Sequence, residues 1–527
     1  MKKNFLFVSL CICISTAFAQ ADDAAKYAAG ITGDNLKNHL TIIASDEMEG
    51  RETGTEGQRK AAAYIEAQFK SIGLQAPKAL NGYQQFYPLY RDSMTASTVK
   101  INDRELNYGT DYYVPVLTNG TKKSAAKKFI FVGYGISEKE YDDYKEADVK
   151  GKVVVFFLGE PKEKGKYLVS ATAQYSNYTY PGLSAKIELA KEKGAAAAIV
   201  LNPMMSALNS RTVVLNTKSN VYYPGSSADE SIGFINLSQD AAKQLFTEWN
   251  IDSLVRLART SGVFTASNTP ELKVGFSFDY KKERQIINAS NVLGIIEGTD
   301  KKDEYVFLTG HYDHLGKHDG KIYYGADDDG SGTCAVLNMA EVFAKAKAEG
   351  KGPRRTIVFM TVSGEEKGLW GSEYYSDHPI FPLDKTTVDL NTDMVGRTDT
   401  ERKKDDTLNY VYVIGHNKLS SDLPVINEGV NKKYTNLVLD YKFDDPNDPE
   451  QIYYRSDHYN FARKGIPILF FYDGMLKADY HKPTDTVDKI NFSLYEKRVR
   501  MIFHTAWEIA NRDEMLKRDI PLENTER

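Results

Sequence analysis

The sequence predicts an α/β protein, a mixed and mostly parallel β-sheet flanked by helices, with a small β-rich α+β domain inserted ahead of it. Three observations predict this. From about Asn291 onward, short β-rich runs alternate with helical patterns. The helical segments there repeat apolar residues at i, i+3, i+4 and i+7, as in Val336, Met339, Ala340 and Phe343. The stretch from about 97 to 275 has β-rich runs of its own but holds no His and no Cys.

Size and charge bound the rest. A chain of 527 residues, 42% hydrophobic and 12% aromatic, holds two or three globular domains at roughly 100–200 residues each. Its 67 Lys and Arg against 72 Asp and Glu leave a formal charge of −5, which offers no global field for phosphate backbones or anionic lipid. Nucleic acid is excluded as an expected partner.

Residues 1–19 read as a signal peptide: Lys2 and Lys3, an apolar run over 5–14, then Ala17-Phe18-Ala19 before Gln20. That run falls short of the ~20 residues a spanning helix needs, so export to the periplasm or the extracellular medium is expected, without stable membrane insertion. Two of the three cysteines, Cys11 and Cys13, fall in this leader. Cys334 is then alone in the mature chain, with no internal disulfide, and is expected to be a small buried residue.

Residues 24–96 contain helical patterns over 36–44 and 57–72, joined by a Gly-containing linker. A piece this short is marginal alone and is expected to pack on the C-terminal domain. Residues 97–275 then become an insertion, with β-rich runs at 129–132 and 153–158 and a helix at 183–193 leading into 195–201; it is read as non-catalytic. The α/β domain covers 285–512, with strands at 292–296, 305–308, 356–362, 410–414 and 466–471 and a last helix through Val499, Ile502, Phe503 and Ala506. Residues 513–527 form a polar tail.

Eight of the nine histidines follow residue 310, which places the chemistry in the C-terminal half. His311-Tyr312-Asp313 ends the second predicted strand, where an α/β fold places ligands; an imidazole and a carboxylate two apart suit a metal ligand and its orienter. Asp327-Asp328-Asp329 sets three carboxylates side by side, which repel one another unless a cation neutralises them or the turn is solvated. Ser363-Gly364-Glu365-Glu366 follows another strand, and of its two glutamates one can bind metal while the other moves protons. Asn391-Thr392-Asp393-Met394 and the segment around Tyr480-His481 complete an ordered series. Together His311, Asp328, Glu365-Glu366, Asp393 and His481 supply two imidazoles and three carboxylates for two divalent cations, plus one spare glutamate.

Other residues are expected to play lesser parts. His314 and His318 precede and enter a Gly-containing polar run and are expected to face solvent or substrate. His458 is expected to hydrogen-bond within a loop under the site, and 444–450, which lacks the Gly-centred EF-hand pattern, to be a solvated loop.

The ordered series resembles the M28 family of zinc peptidases. Phe131-Val132-Gly133-Tyr134-Gly135 and Val149-Lys150-Gly151-Lys152-Val153 are similar to pieces of the protease-associated insert that accompanies it. Ala44-Ser45-Asp46-Glu47-Met48-Glu49-Gly50-Arg51 resembles the N-terminal segment of members with this architecture. The resemblance implies a zinc exopeptidase fold in which His311 and Asp393 bind one metal, Glu366 and His481 the other, and Asp328 bridges two divalent ions, zinc in this family. It further implies Glu365 as general base, Asp313 as the orienter of His311, Tyr453 as a phenol assisting the tetrahedral intermediate, and a cis peptide at Asp328-Asp329. Tyr312 stands where the family often has Leu. The activity implied is that of an exported two-zinc metallopeptidase, an aminopeptidase releasing N-terminal residues from peptides or proteins with metal-activated water. A glutaminyl cyclase-like acyltransferase with one zinc and a non-catalytic receptor-like relative are the alternatives. The inserted domain argues against the first and the complete ligand set against the second.

Overall fold

Every residue from Arg355 to Val362 is buried, the pattern of a strand covered on both faces of a parallel sheet. Its neighbours explain why. In the computed structural model, which describes residues 23–180, 182–225, 231–264, 270–403 and 405–522, the chain divides into two units, one made of 1–87 with 288–527 and the other of 88–287. The expected leader, Cys11 and Cys13 included, and the last residues of the tail lie outside the described residues.

The first unit contains α1 (Gly33–Ile43), α2 (Glu56–Ser71), the end of β1 (Phe276–Ile296), β2 (Lys301–His311), α3 (Gly330–Ala348), β3 (Arg355–Val362), β4 (Thr386–Thr392), β5 (Tyr410–Ile414), α4 (Asp422–Tyr434), β6 (Val438–Asp440), β7 (Ile468–Tyr472) and α5 (Phe492–Asn511). The sheet order is β1-β3-β2-β4-β7-β5-β6. β3, β2, β4 and β7 run parallel, β1 and β5 pair antiparallel with that block, and β6 is parallel to β5. This is the mixed, mostly parallel sheet that the alternating pattern predicts. The short strand β6 has no counterpart in the sequence reading.

Alternation along the strands builds two apolar layers. Val306, Leu308, Ile357 and Phe359 face one side, where Leu36 and Leu40 of α1, Val336, Met339 and Phe343 of α3 and Val499, Phe503 and Trp507 of α5 cover them. Phe307, Val358 and Met360 face the other, among Tyr375, Phe461 and Phe470. The helices start at side-chain caps: Thr32 accepts from Asn35 N, Asp329 from Gly332 N and Asn491 from Leu494 N. Cys334, on α3, is buried.

The second unit has a sheet ordered Tyr112–Tyr113, Gly233–Leu237, Ala197–Leu201, Val153–Phe157, Phe129–Phe131, parallel except at its first strand. Helix Leu183–Glu192 covers the face of Val154, Phe156 and Val200, while helices Gln239–Leu245 and Ile251–Arg259 cover that of Val155, Ile199 and Ile235. The unit's ends at Pro88 and Ile287 differ from the 97 and 275 read from composition. Strands Gln84–Ile101 and Phe276–Ile296 run through both ends, so no loop composition marks them. Among the described residues no helix is long and apolar enough to cross a membrane.

Candidate metal centre

β2 ends at His311, which pairs with Val362, the last residue of β3; on its other side Thr309 pairs with Asn391 of β4. Glu365 and Glu366, just past β3, and Asp393, just past β4, therefore leave the same carboxyl edge as His311, where parallel α/β sheets place ligands. Asp328 comes from the turn into α3, across a cis Asp328-Asp329 bond, and His481 from the loop after β7, in a left-handed backbone conformation with φ 54°.

These side chains converge. Asp328 Oδ1 lies 3.3 Å from His311 Nε2, and Asp393 Oδ1 lies 3.6 Å from the same nitrogen. On the opposite side Asp328 Oδ2 lies 3.2 Å from His481 Nε2, which is 3.0 Å from Glu366 Oε2. Asp328 thus turns one oxygen to each half of the cluster. Glu365 stands beside the first half, its Oε2 3.8 Å from His311 Nε2.

The donor set fits divalent cations. His311 Nε2, Asp328 Oδ2 and Glu366 Oε1 are buried and have no hydrogen-bond partner, an arrangement that buried polar atoms rarely adopt unless a ligand satisfies them. Two groups of potential metal-holding side chains emerge from geometry, His311 with Glu365 and Asp393, and His314 with Asp328 and Glu366. Mixed imidazole and carboxylate donors suit zinc and its neighbours.

Charge follows the same division. Burial would raise the Asp328 carboxyl, but His311 and His481 hold it well below its ordinary range. Burial pushes the Glu365 carboxyl well up against the pull of His311, and Glu366 and Asp393 add to the rise. Two adjacent glutamates therefore differ in proton affinity, because burial raises one and the imidazoles of His314 and His481 restrain the other.

A ring of hydrogen bonds fixes the donors. His311 Nδ1 lies 3.1 Å from the carbonyl of Asp313, closer than the 3.6 Å to that residue's carboxylate. The Asp313 carboxylate instead accepts from Thr53 Oγ1 at 2.5 Å and from Glu365 N at 3.3 Å, and Thr53 Oγ1 accepts from Gly364 N. Asp329 accepts from the backbone of His311, Gly332 and Met394, tying three ligand-bearing segments together. Asp485 Oδ2 accepts from Asp327 N and Asp328 N, and Ser456 Oγ donates to Asp393 Oδ2 at 2.7 Å. The sequence shows Asp329 as one of three adjacent carboxylates and assigns no part to Thr53, Ser456 or Asp485. Asp329 and Asp485 stand close in sequence to Asp328 and His481, whereas Thr53 and Ser456 carry no such signal.

Tyr453 lies elsewhere. It lines a cavity of about 250 Å³ with Lys418, Asp444, Tyr459 and Leu522, and burial, Asp444 and the neighbouring tyrosines raise its phenol. The tyrosines that line the small pocket of Asp328, Glu365 and Asp393 are Tyr472 and Tyr480, the ring of the latter stacking on His481 at 3.8 Å. Ile452, in the same short helical turn Ile452–Tyr454, lines that pocket, while Tyr453 lines the other cavity.

His314, expected to face solvent or substrate, is fully buried against Glu366, while His318 is exposed. The turn after His311 folds inward under the N-terminal segment, which composition does not reveal. His458 Nε2 meets the Tyr453 carbonyl at 2.8 Å, and burial lowers the imidazole to about 3, keeping it neutral. Asp444 and Asp448, expected in a solvated loop, are buried, and they accept from Gly415 N and Ile452 N.

Residues 291–506 match the model of Peptidase family M28. A probable glutamate carboxypeptidase of Zea mays is 24% identical over 64% of this chain and 47% of its own length. A probable leucine aminopeptidase of Trichophyton verrucosum is 28% identical over 42% of this chain and 57% of its own. The chain spans about half the length of these curated relatives. Among solved structures, an aminopeptidase from Aneurinibacillus sp. strain AM-1 superposes with a TM-score of 0.50 at 18% identity, covering 95% of this chain and 100% of that one, which shows a shared fold.

Proposed function

We propose, from the premise that residues 291–506 are a domain of peptidase family M28, that this chain is a two-metal aminopeptidase acting on peptide or protein N-termini. One observation carries the reading: His311, Asp328, Glu366, Asp393 and His481 bring their donor atoms together while Glu365 stands beside them, partly exposed but with a raised carboxyl. Bound there, two divalent cations, zinc by the family, supply Lewis acidity to a peptide carbonyl and to the attacking water.

The chain's own residues do the rest. Asp328 spans both halves of the cluster, His311 and Asp393 hold one side, and Glu366 and His481 the other. Glu365 takes the proton of the attacking water on its carboxylate and hands it to the leaving amine, a role for which its raised proton affinity suits it. The Asp313 carboxylate and Thr53 hold the turn that carries Glu365. Met394, Phe470, Tyr472 and Leu476 line the same small pocket as Asp328, Glu365 and Asp393.

Two further parts of the reading rest on sequence. Residues 1–19 direct export, and sequencing the N-terminus of the mature protein is expected to start at Gln20. The second unit is the protease-associated insert, without a chemical role.

Glu365→Gln is the direct test. Turnover on aminoacyl substrates is expected to fall at least about a hundredfold with metal content unchanged. Retained activity overturns the assignment of the base. Profiling a peptide library before and after chelation separates N-terminal release from C-terminal release, and pyroglutamate formation in place of hydrolysis points to the cyclase alternative.

A further inference from the structure

His314 is the buried imidazole for which the reading above has no use. None of its side chain is exposed, and neither ring nitrogen has a hydrogen-bond partner. Its Nδ1 lies 2.7 Å from Glu366 Oε1 and 3.9 Å from Asp328 Oδ2, yet the ring is turned so that no hydrogen bond to Glu366 forms. Glu366 Oε1 and Asp328 Oδ2 are themselves unpartnered. An unpaired buried imidazole facing two unpaired carboxylate oxygens is costly unless something satisfies all three at once.

We infer that His314 is a fourth protein ligand at the Glu366 and His481 site, binding through Nδ1. This rests on the two-metal reading and adds to it a residue outside its ligand set. Donors at ~2.0–2.1 Å from one zinc ion stand roughly 3 to 4 Å apart, and a zinc ion can expand to five donors, which leaves a place for water or substrate beside four protein ligands. The separations here are of that order: His481 Nε2 lies 3.0 Å from Glu366 Oε2 and 3.2 Å from Asp328 Oδ2, and His314 Nδ1 lies 2.7 Å from Glu366 Oε1 and 3.9 Å from the same Asp328 oxygen, so Glu366 turns one oxygen to each imidazole. Gly325 closes one side of the ring, packing so near that a Cβ there would sit 2.5 Å from His314 Cγ. One short turn, His311 to His314, then gives one imidazole to each ion. The site with two imidazoles and two carboxylates holds its metal more tightly than the site of His311, Asp393 and the shared Asp328.

The experiment is a cobalt titration of the chelator-stripped full chain, followed by visible absorption and by metal-to-protein ratio. Wild type is expected to take up two Co²⁺ ions, the tighter one lost at least tenfold more readily in His314→Ala and in the shape-preserving His314→Asn, with its absorption band altered. His481→Ala, which removes a ligand of the two-metal reading itself, is the comparison. Unchanged affinity and an unchanged band in both His314 variants, with two ions still bound, overturn the inference and leave the two-metal reading standing. Uptake of a single ion by wild type overturns the two-metal reading, and His314 is then judged on that ion: a tenfold loss in both variants supports it, and no loss overturns it.

Discussion

Arg51 Nε donates to the carbonyl of Tyr312 at 2.7 Å, from a side chain that is entirely buried. The rest of the guanidinium is spent the same way, with Nη1 donating to Ile43 and Tyr324 and Nη2 to Gly325. Tyr312 follows one ligand directly, and Tyr324-Gly325 leads into the turn that carries another, so one cation holds both loops against the N-terminal segment. Arg51→Met keeps the bulk but strips the donor from four carbonyls, of which only that of Gly325 keeps another partner, Gly330 N, and each of the other three costs about 1–3 kcal/mol where it is left buried and unpaired. The expected outcome is a loss on the order of 4 kcal/mol or more in chemical unfolding of the first unit, with a fall in bound metal. A variant as stable as wild type shows the clamp to be dispensable.

The sheet and most of the converging donors are legible in the sequence because their signals are local. A β-rich run that stops at His311, Glu365-Glu366 or Asp393 marks a strand end by itself, and α3 and α5 carry their apolar spacing within one segment. What was illegible depends on partners far along the chain. Arg51 grips carbonyls more than 200 positions away, Asp485 accepts from Asp327 and Asp328, and Ser456 reaches Asp393; nothing in the neighbouring residues encodes such pairings. His314 was misread for the same reason. The polar run after it is on the surface, but whether its own side chain turns inward is decided by Gly325 and Glu366, not by its neighbours in sequence.

Ser456→Ala tests how far the support of a single ligand matters. Ser456 Oγ donates to Asp393 Oδ2 at 2.7 Å and accepts from Asn391 Nδ2 at 2.9 Å, so its loss frees Asp393 and strands a buried amide. Partners that orient metal ligands are worth about 10–100-fold in metal affinity. Competition against a chromogenic chelator is expected to show a loss in that range for one metal only. An unaltered competition curve shows that packing alone fixes Asp393.

Tyr453→Phe discriminates between the resemblance and the observed geometry. The Tyr453 hydroxyl is buried without a hydrogen-bond partner, so removing it relieves an unpaired polar atom and is expected to leave stability unchanged or raise it by about 1 kcal/mol. Turnover is expected to stay within about twofold of wild type, since the phenol lines the cavity of Asp444 and not the pocket of Glu365. A large fall in kcat at unchanged KM restores Tyr453 to the reacting centre.

The second unit carries its own pH signature at Lys186. The side chain is fully buried on helix Leu183–Glu192, where its ammonium donates to the carbonyls of Phe157 at 3.3 Å and Gly159 at 2.5 Å. Burial lowers it to about 7, with Asp143 and Glu160 offsetting part of the effect. Between about 7 and the ordinary value of 10.5 the unfolded chain therefore binds a proton that the folded chain does not. Stability rises with pH through that window, by about 1 kcal/mol per pH unit where the difference is complete, and is flat below it. Asp143, raised by burial to about 6, titrates below the window and does not blur it. Hydrogen exchange of the strand Val153–Phe157, corrected for intrinsic rates, is expected to slow between pH 7 and pH 9 in wild type and to lose that dependence in Lys186→Met. The same slope in both proteins would assign the effect to another group.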